Sequence, residues 1–224
     1  MAKEVKMKSD VTAILLNWKR PDNLKRLIAS IRSQTVQVEI LLWNNSDNAT
    51  TYDVDLQINS STNLMCWPRW MLASYASAEY VFVMDDDIMP SDNHVVCDCI
   101  NYCNKSPLTA IGYTGVILNA KNDYWASKHL LHPNRHVDTH VNIIKGRFMF
   151  MAKCLLNYLT VVQQPSLLGP RVEDDIIVSS TMKTKVLPRF LVDRLTELPE
   201  GNVSLKFQAD HRQSRQDAVA RYFA

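Results

Sequence analysis

Tyr80-Val81-Phe82-Val83-Met84-Asp85-Asp86-Asp87 is the stretch that decides the fold. Five apolar residues, too few for a helix and rich in β-formers, predict a buried strand. The run ends at once in three carboxylates, so its carboxyl end should leave the core. Toward the N-terminus the same pattern recurs. Val11-Thr12-Ala13-Ile14-Leu15-Leu16 is an apolar run followed by Asn17. Pro21, well suited to a first helical turn, then opens a stripe of Leu24, Leu27, Ile28 and Ile31 that predicts a helix over residues 22–33. Val38-Glu39-Ile40-Leu41-Leu42-Trp43 is a further strand, ending in Asn44-Asn45-Ser46-Asp47-Asn48. A weaker strand is expected near residues 54–58 and a helix over roughly 64–77. Strands alternating with helices predict an α/β protein with a mainly parallel mixed sheet flanked by helices. Ligands of such sheets bind beyond the carboxyl ends of the strands, so Asn17, Asn44-Asn45 and Asp85-Asp86-Asp87 should gather along one edge.

Toward the C-terminus the pattern loosens. Residues 92–104 read as helix and 110–118 as extended. Residues 119–139, with His129, His132, Arg135 and His136, read as a polar loop. Val141 to Met151 reads as extended, interrupted by Lys145-Gly146-Arg147, with a helix starting near Ala152. Pro165 to Pro170 should break the chain. Val172 to Met182 is a helix opened by Glu173-Asp174-Asp175, and residues 213–223 form a short final helix. The expected organisation is one domain over residues 1–224, in halves of 1–90 and 91–224.

The bulk numbers narrow the chemistry. A chain of 224 residues with 46% hydrophobic and 21% charged residues has the material for one core. Its net charge of +2 does not demand a nucleic-acid partner. The N-terminus is polar, and no apolar run reaches the roughly 18 residues of a membrane span. A cytoplasmic location is the expectation. Five cysteines, an odd number, suggest free thiols. Cys97, Cys99 and Cys103 match no common zinc spacing, and only Cys99 and Cys103 share a helical face, so a buried structural role is expected. Only five glycines are present, with neither a dinucleotide fingerprint nor a P-loop. Any phosphate would have to be held by a metal and by basic side chains.

Four clusters carry chemistry. Three carboxylates directly after a buried strand repel one another, and a hard divalent cation would relieve them. Such a cation, Mn²⁺ or Mg²⁺, can bridge a diphosphate and stabilise its departure. One of Glu173, Asp174 and Asp175 could act as general base or stabilise a cationic sugar; helix capping is the plainer reading of the same residues. Arg69, Lys145 and Arg147 could neutralise phosphate, Gly146 allowing close backbone approach. His211 is a possible ligand of a Mn²⁺-type metal.

In this order the pieces resemble GT-A fold glycosyltransferases, and most of all the exostosin-like hexosaminyltransferases, from about residue 11 to about residue 182. Thr12 to Arg20 resembles the family's first strand and nucleotide-binding turn. Ile40-Leu41-Leu42-Trp43-Asn44-Asn45 is similar to its second strand, which ends near the base. Val83-Met84-Asp85-Asp86-Asp87 matches the metal-binding D-x-D element. The resemblance implies a UDP-sugar donor and Mn²⁺, with Asp87 as direct ligand, helped by Asp85 and by His211 as the late histidine. It implies that Asn17, Arg20, Asn44 and Asn45 hold the nucleoside beside Asp86. It places Arg69 near the nucleotide sugar and Glu173-Asp174-Asp175 at the acceptor side, with residues 1–90 binding the nucleotide and 91–224 the acceptor. It leans towards retention at the anomeric carbon.

The acceptor is open: a hydroxymethylated base in viral DNA is one expectation, and a glycan, a protein or a small molecule are the others. The first is suggested by the basic series Lys183, Lys185, Arg189, Arg194, Arg212, Arg215 and Arg221. Two other classes fit parts of the pattern: a nucleotidyltransferase of sugar metabolism, and a nucleotide-sugar-binding module without turnover.

Overall fold

Three continuous apolar runs and one short alternating segment, Leu56-Gln57-Ile58-Asn59, place four strands side by side. They are β1 (Val11–Asn17), β2 (Val38–Asn44), β3 (Leu56–Asn59) and β4 (Tyr80–Met84). All pair in parallel in the order β3-β2-β1-β4. The computed structural model describes residues 9–45, 50–131, 136–161, 173–199 and 210–223. Ser46 to Asn48, His132, Arg135, the Pro165 to Pro170 break and Val172 lie outside the described residues.

Both faces of β1, β2 and β4 are buried, as inner parallel strands require, while β3 is a part-exposed edge. Ala13, Leu15, Ile40, Leu42, Phe82 and Met84 point into one core, and Ile14, Leu41, Val81 and Val83 into the other. The first core is closed by α1 (Pro21–Arg32) through Leu24, Leu27, Ile28 and Ile31. It is also closed by α3 (Val95–Lys105), where Cys99 and Cys103 are buried and Cys97 is not. The second core is covered by α2 (Pro68–Ala73) and α4 (Asp174–Thr181), through Trp70, Leu72, Ile177 and Val178.

The second half completes the sheet by a different rule. After β5 (Ile88–Pro90) come β6 (Thr109–Gly112), β7 (Gly115–Ile117), β8 (Lys128–Leu130), β9 (Thr139–His140), β10 (Ile143–Ile144) and β11 (Phe148–Ala152). Then follow β12 (Thr184–Leu187), β13 (Leu195–Glu197) and α5 (His211–Tyr222). β11 lies antiparallel between β4 and β6, β12 is parallel to β6, and β9 closes the edge antiparallel to β12. The eight-stranded sheet therefore runs β3-β2-β1-β4-β11-β6-β12-β9, beside small sheets β10-β7-β8 and β13-β5. No helix among the described residues is long and apolar enough to cross a membrane.

Several expected boundaries move. The helix expected over 64–77 is only Pro68–Ala73. Met65 has φ +60°, which no helix interior accepts, and Pro68 sets the first turn. The extended run 110–118 divides at Tyr113-Thr114 between two sheets, and 119–139 contains two short strands. The helix expected near Ala152 is a 3₁₀ segment, Lys153–Val161.

Lys185 closes the carboxyl end of α4. Its ammonium donates to the Ser179 carbonyl at 2.8 Å and to that of Met182. Burial pulls this lysine from 10.5 down to about 8. Between these values the folded chain binds fewer protons than the unfolded one, so the group's contribution to stability rises with pH across that window. The urea midpoint of the wild type should gain on that of Lys185→Met from about pH 7 to about pH 10. A constant gap would sink the assignment.

Candidate active site

The carboxyl ends of β1, β2 and β3 are in register, Asn17 opposite Asn44 and Asn44 opposite Asn59. Their amides form a ladder: Asn17 Nδ2 donates to Asn44 Oδ1 at 2.8 Å, and Asn44 Nδ2 to Asn59 Oδ1 at 3.0 Å. Asn17 and Asn44 are buried, so they lock the strand ends beneath the cleft rather than line it. Asn17 Oδ1 is left as a buried acceptor without a partner. Asn45 accepts from the Leu64 amide and donates to the Met65 carbonyl, both at 3.0 Å. It thereby pins the loop before α2 to the sheet.

Above the ladder lies a cleft of about 150 Å³ lined by Trp18, Arg20, Asn45, Asn63 and Met65, with Asp85, Asp86 and Asp87 as its acidic wall. The β1–α1 turn at its rim holds Lys19 at φ +60°. Each acid has its own arginine. Asp86 pairs with Arg20 and takes the Trp18 amide at 3.4 Å. Asp87 accepts from Arg147 at 3.2 Å, and Arg147 also pairs with Glu197. Asp85 accepts from Arg69 at 2.8 Å. Burial still pushes the Asp85 carboxyl up to about 7 against the pull of Arg69, and burial raises Asp86 too. Asp85 and Asp86, whose ionisation burial opposes, stand with Asp87 as hard-oxygen groups along one wall.

Arg69 ties this wall to the second acidic motif. Its Nε donates to Asp174 at 2.7 Å, its Nη2 to the same carboxylate at 3.3 Å, and its Nη1 to Asp85 and to the Gly146 carbonyl. Trp70 Nε1 adds a 2.6 Å bond to Asp174. Arg69 is only 2% exposed, so it joins the two motifs from behind rather than reaching into the cleft. Gly146 is required here: a Cβ would stand 2.9 Å from Arg69 Nη2, and the guanidinium is held from three sides. Gly146→Ala should cost about 1–3 kcal/mol in a denaturation experiment, the usual penalty of overpacking.

The second motif satisfies the start of its helix only through Asp175, whose Oδ1 accepts from the Ile176 amide at 2.9 Å. Glu173 occupies the N-cap but makes no capping bond. Its carboxylate pairs with Arg215 at 2.6 Å and meets His211 Nδ1 at 3.3 Å. Asp175 takes Arg215 at 2.9 Å and the Gly146 amide at 3.3 Å. For Asp175 burial works upward, yet Arg215 wins and holds the carboxyl below its ordinary value. Lys145 stands beside these groups; burial, then Arg215, brings it down to about 8.

The structure thus brings Arg20, Asn45, Asp85, Asp86 and Asp87 together around one cleft. Asn17, Asn44, Arg69 and Asp174 support it from below or behind. His211 Nδ1 faces the Glu173 carboxylate at 3.3 Å, and among the described residues no bond links it to Asp85 or Asp87. Among the described residues no three His, Cys, Asp or Glu side chains are gathered for a metal. Sequence reading missed the partners. Trp70 carried no signal, and Arg215 was legible only as one of a basic series. That series is largely spent inside the chain: Lys185 is buried, Arg189 pairs with Asp193, Arg194 with Asp92 and Asp98, and Arg215 with the acids.

A parallel strand set with an acidic cleft at its carboxyl ends, continued by an antiparallel strand into a mixed sheet, is the GT-A-like fold of nucleotide-sugar transferases. Its likeness to a solved mannosyltransferase, PcManGT from Pyrobaculum calidifontis in complex with GDP-Man and Mn²⁺, has a TM-score of 0.58 at 12% identity. The match covers 87% of this chain and 59% of the mannosyltransferase, so this chain spans about three fifths of that protein's length. No family model and no curated protein matches the sequence.

Proposed function

We propose that this chain is a metal-dependent glycosyltransferase that moves a sugar from a nucleotide-diphosphate sugar to an acceptor hydroxyl. The observation that carries the reading is the acidic wall of the cleft at the strand carboxyl ends, where burial opposes the ionisation of Asp85 and Asp86. The donor set suits Mn²⁺ or Mg²⁺. Such ions are commonly held by one or two carboxylates and completed by substrate phosphate and water, so two protein ligands suffice. Asp87 and Asp85 would hold it, and His211 would join only if it left Glu173. When bound, the ion supplies Lewis-acid stabilisation of the departing nucleotide diphosphate.

The chain's own residues do the rest. Arg20 and Asp86 shape the β1–α1 turn around one part of the donor, while the remainder extends beyond the small cleft. Asn45 sets the Asn63–Met65 wall. Residues 1–90 act as the nucleotide half and 91–224 as the acceptor half. Asp174, spent on Arg69 and Trp70, positions that arginine. Asp175 stays ionised and is the carboxylate assigned to the sugar or acceptor side. The exostosin-like resemblance favours a UDP-sugar, while the mannosyltransferase's GDP-Man makes GDP the competing nucleotide. The internal pairing of the basic series favours a glycan acceptor over DNA.

The test is release of free nucleotide from UDP-, GDP- and TDP-sugars with Mn²⁺, with and without EDTA. Metal-dependent nucleoside diphosphate from one donor supports the reading and identifies the sugar. Nucleoside triphosphate and sugar 1-phosphate formed from the same donors when pyrophosphate is added would make the protein a nucleotidyltransferase. Donor binding without release, with saccharide acceptors present, would make it a binding module.

A further inference from the structure

A second pocket lies apart from the acidic cleft, between the β7–β8 connection and the first turns of α5. It is lined by Asp123, Trp125, Ala126, Arg212, Gln213 and Gln216. Its volume of about 550 Å³ falls within the range of small-ligand pockets, roughly 300–1,000 Å³. Trp125 is 39% exposed, yet it is fixed. Its Nε1 donates to the Arg212 carbonyl at 2.9 Å and its amide to Asp123 Oδ1 at 3.0 Å. Tyr124 meets its ring edge-on at 5.0 Å.

The polar groups around this indole retain bonding capacity. Asp123 Oδ1 takes the Trp125 and Ala126 amides, while Oδ2 accepts no bond among the described residues. The Arg212 guanidinium lies over the indole at 5.3 Å from its centroid, His129 stacks on the same ring at 6.1 Å, and Arg212 has no carboxylate partner among the described residues. Gln213 spends its Nε2 on Asp217 at 2.7 Å, leaving its carbonyl oxygen. A rigid, part-exposed indole shared with the Arg212 guanidinium, with a carboxylate and an amide oxygen beside it, matches a sugar ring, which offers C–H groups to the exposed indole carbons and hydroxyls to the polar groups. Nucleic acid asks for something else, a track of unpaired cations along a backbone. Here, among the described residues, one arginine without a carboxylate partner stands near a carboxylate.

The position relative to the acids completes the argument. His211 and Arg215, one turn apart on α5, hold Glu173 and Asp175. Arg212, Gln213 and Gln216 come from the same two turns. We propose that the Trp125 pocket is a saccharide-binding acceptor subsite, placing a glycan beside the Glu173-Asp174-Asp175 motif. Its role as an acceptor subsite rests on the transferase reading; its binding of sugar does not.

Saturation-transfer NMR on the full chain tests it, with cellobiose, N,N′-diacetylchitobiose and lactose as probes and a hydroxymethylcytosine oligonucleotide as the competing ligand. At least one disaccharide should bind at millimolar concentration and weaken about tenfold, ~1.4 kcal/mol, in Trp125→Ala. Arg212→Ala should weaken it severalfold; its exposed side chain makes no hydrogen bond among the described residues, so this variant keeps the test open should Trp125→Ala fail to fold. No disaccharide binding, binding equal in both variants, or saturation by the oligonucleotide alone overturns the proposal. Sugar binding that depends on Trp125 without nucleotide release from any donor leaves this site standing and defeats the transferase reading. Nucleotide release with sugars indifferent to Trp125 and Arg212 does the reverse.

Discussion

Arg69→Met should lower the stability of the fold by about 3–5 kcal/mol, the loss seen when one partner of a buried ion pair is removed. Two carboxylates depend on this side chain. Asp174, 4% exposed, would keep only Trp70, and Asp85 would lose its 2.8 Å partner at a position where burial already raises its pKa. The Gly146 carbonyl would also lose its donor. Arg69→Lys should recover part of the loss, since a point charge cannot reach Asp85, Asp174 and Gly146 at once as the guanidinium does. Urea denaturation of the three proteins reads this directly. A loss below about 1 kcal/mol in Arg69→Met would place the arginine on the substrate, as its sequence position suggested, rather than in the scaffold.

Asp87→Ala should lower metal-dependent nucleotide release by about a hundredfold, the rate equivalent of roughly 3 kcal/mol. The fold should tolerate it. Arg147 keeps Glu197, and the Asp87 carbonyl still accepts from the Leu198 amide at 2.7 Å. The split between effects is therefore the informative result: a large fall in rate with a denaturation midpoint near that of the wild type. Extra Mn²⁺ should restore part of the rate, because a ligand has been lost and not the cleft. An undiminished rate would remove Asp87 from the metal, and a matching loss of stability would reduce it to a structural acid.

The two predictions separate what was legible from what was not. The acidic edge of the sheet could be read in advance. Val11–Leu16, Val38–Trp43 and Tyr80–Met84 are strands because a short, β-branched apolar run has no other way to bury both faces, and the polar residues at their ends must leave the core together. Asp85, Asp86 and Asp87 stood out for the same reason. The second half was less legible because its strands are two to five residues long and pair across the chain. Tyr113-Thr114 divides one apolar run between two sheets, a break that depends on what packs opposite and not on local propensity.

The roles within the clusters needed the tertiary structure. Glu173-Asp174-Asp175 would serve equally as a helix cap or as catalytic acids in any local reading. Arg69, Trp70, Gly146, Arg215 and His211, from distant parts of the chain, decide that these acids join a buried network. By itself the sequence determined the α/β class, the edge where the polar strand ends meet, and the presence of an acidic cleft. Those properties follow from hydrophobic period and from the cost of charge beside a core, both carried by neighbouring residues. Only the tertiary structure decided that Asn17 and Asn44 lie under the cleft, that Arg69 holds two motifs from behind, and that the basic series is mostly spent within the chain. Those properties follow from which long-range partners desolvate and bond each polar group, and spacing along a chain does not encode that.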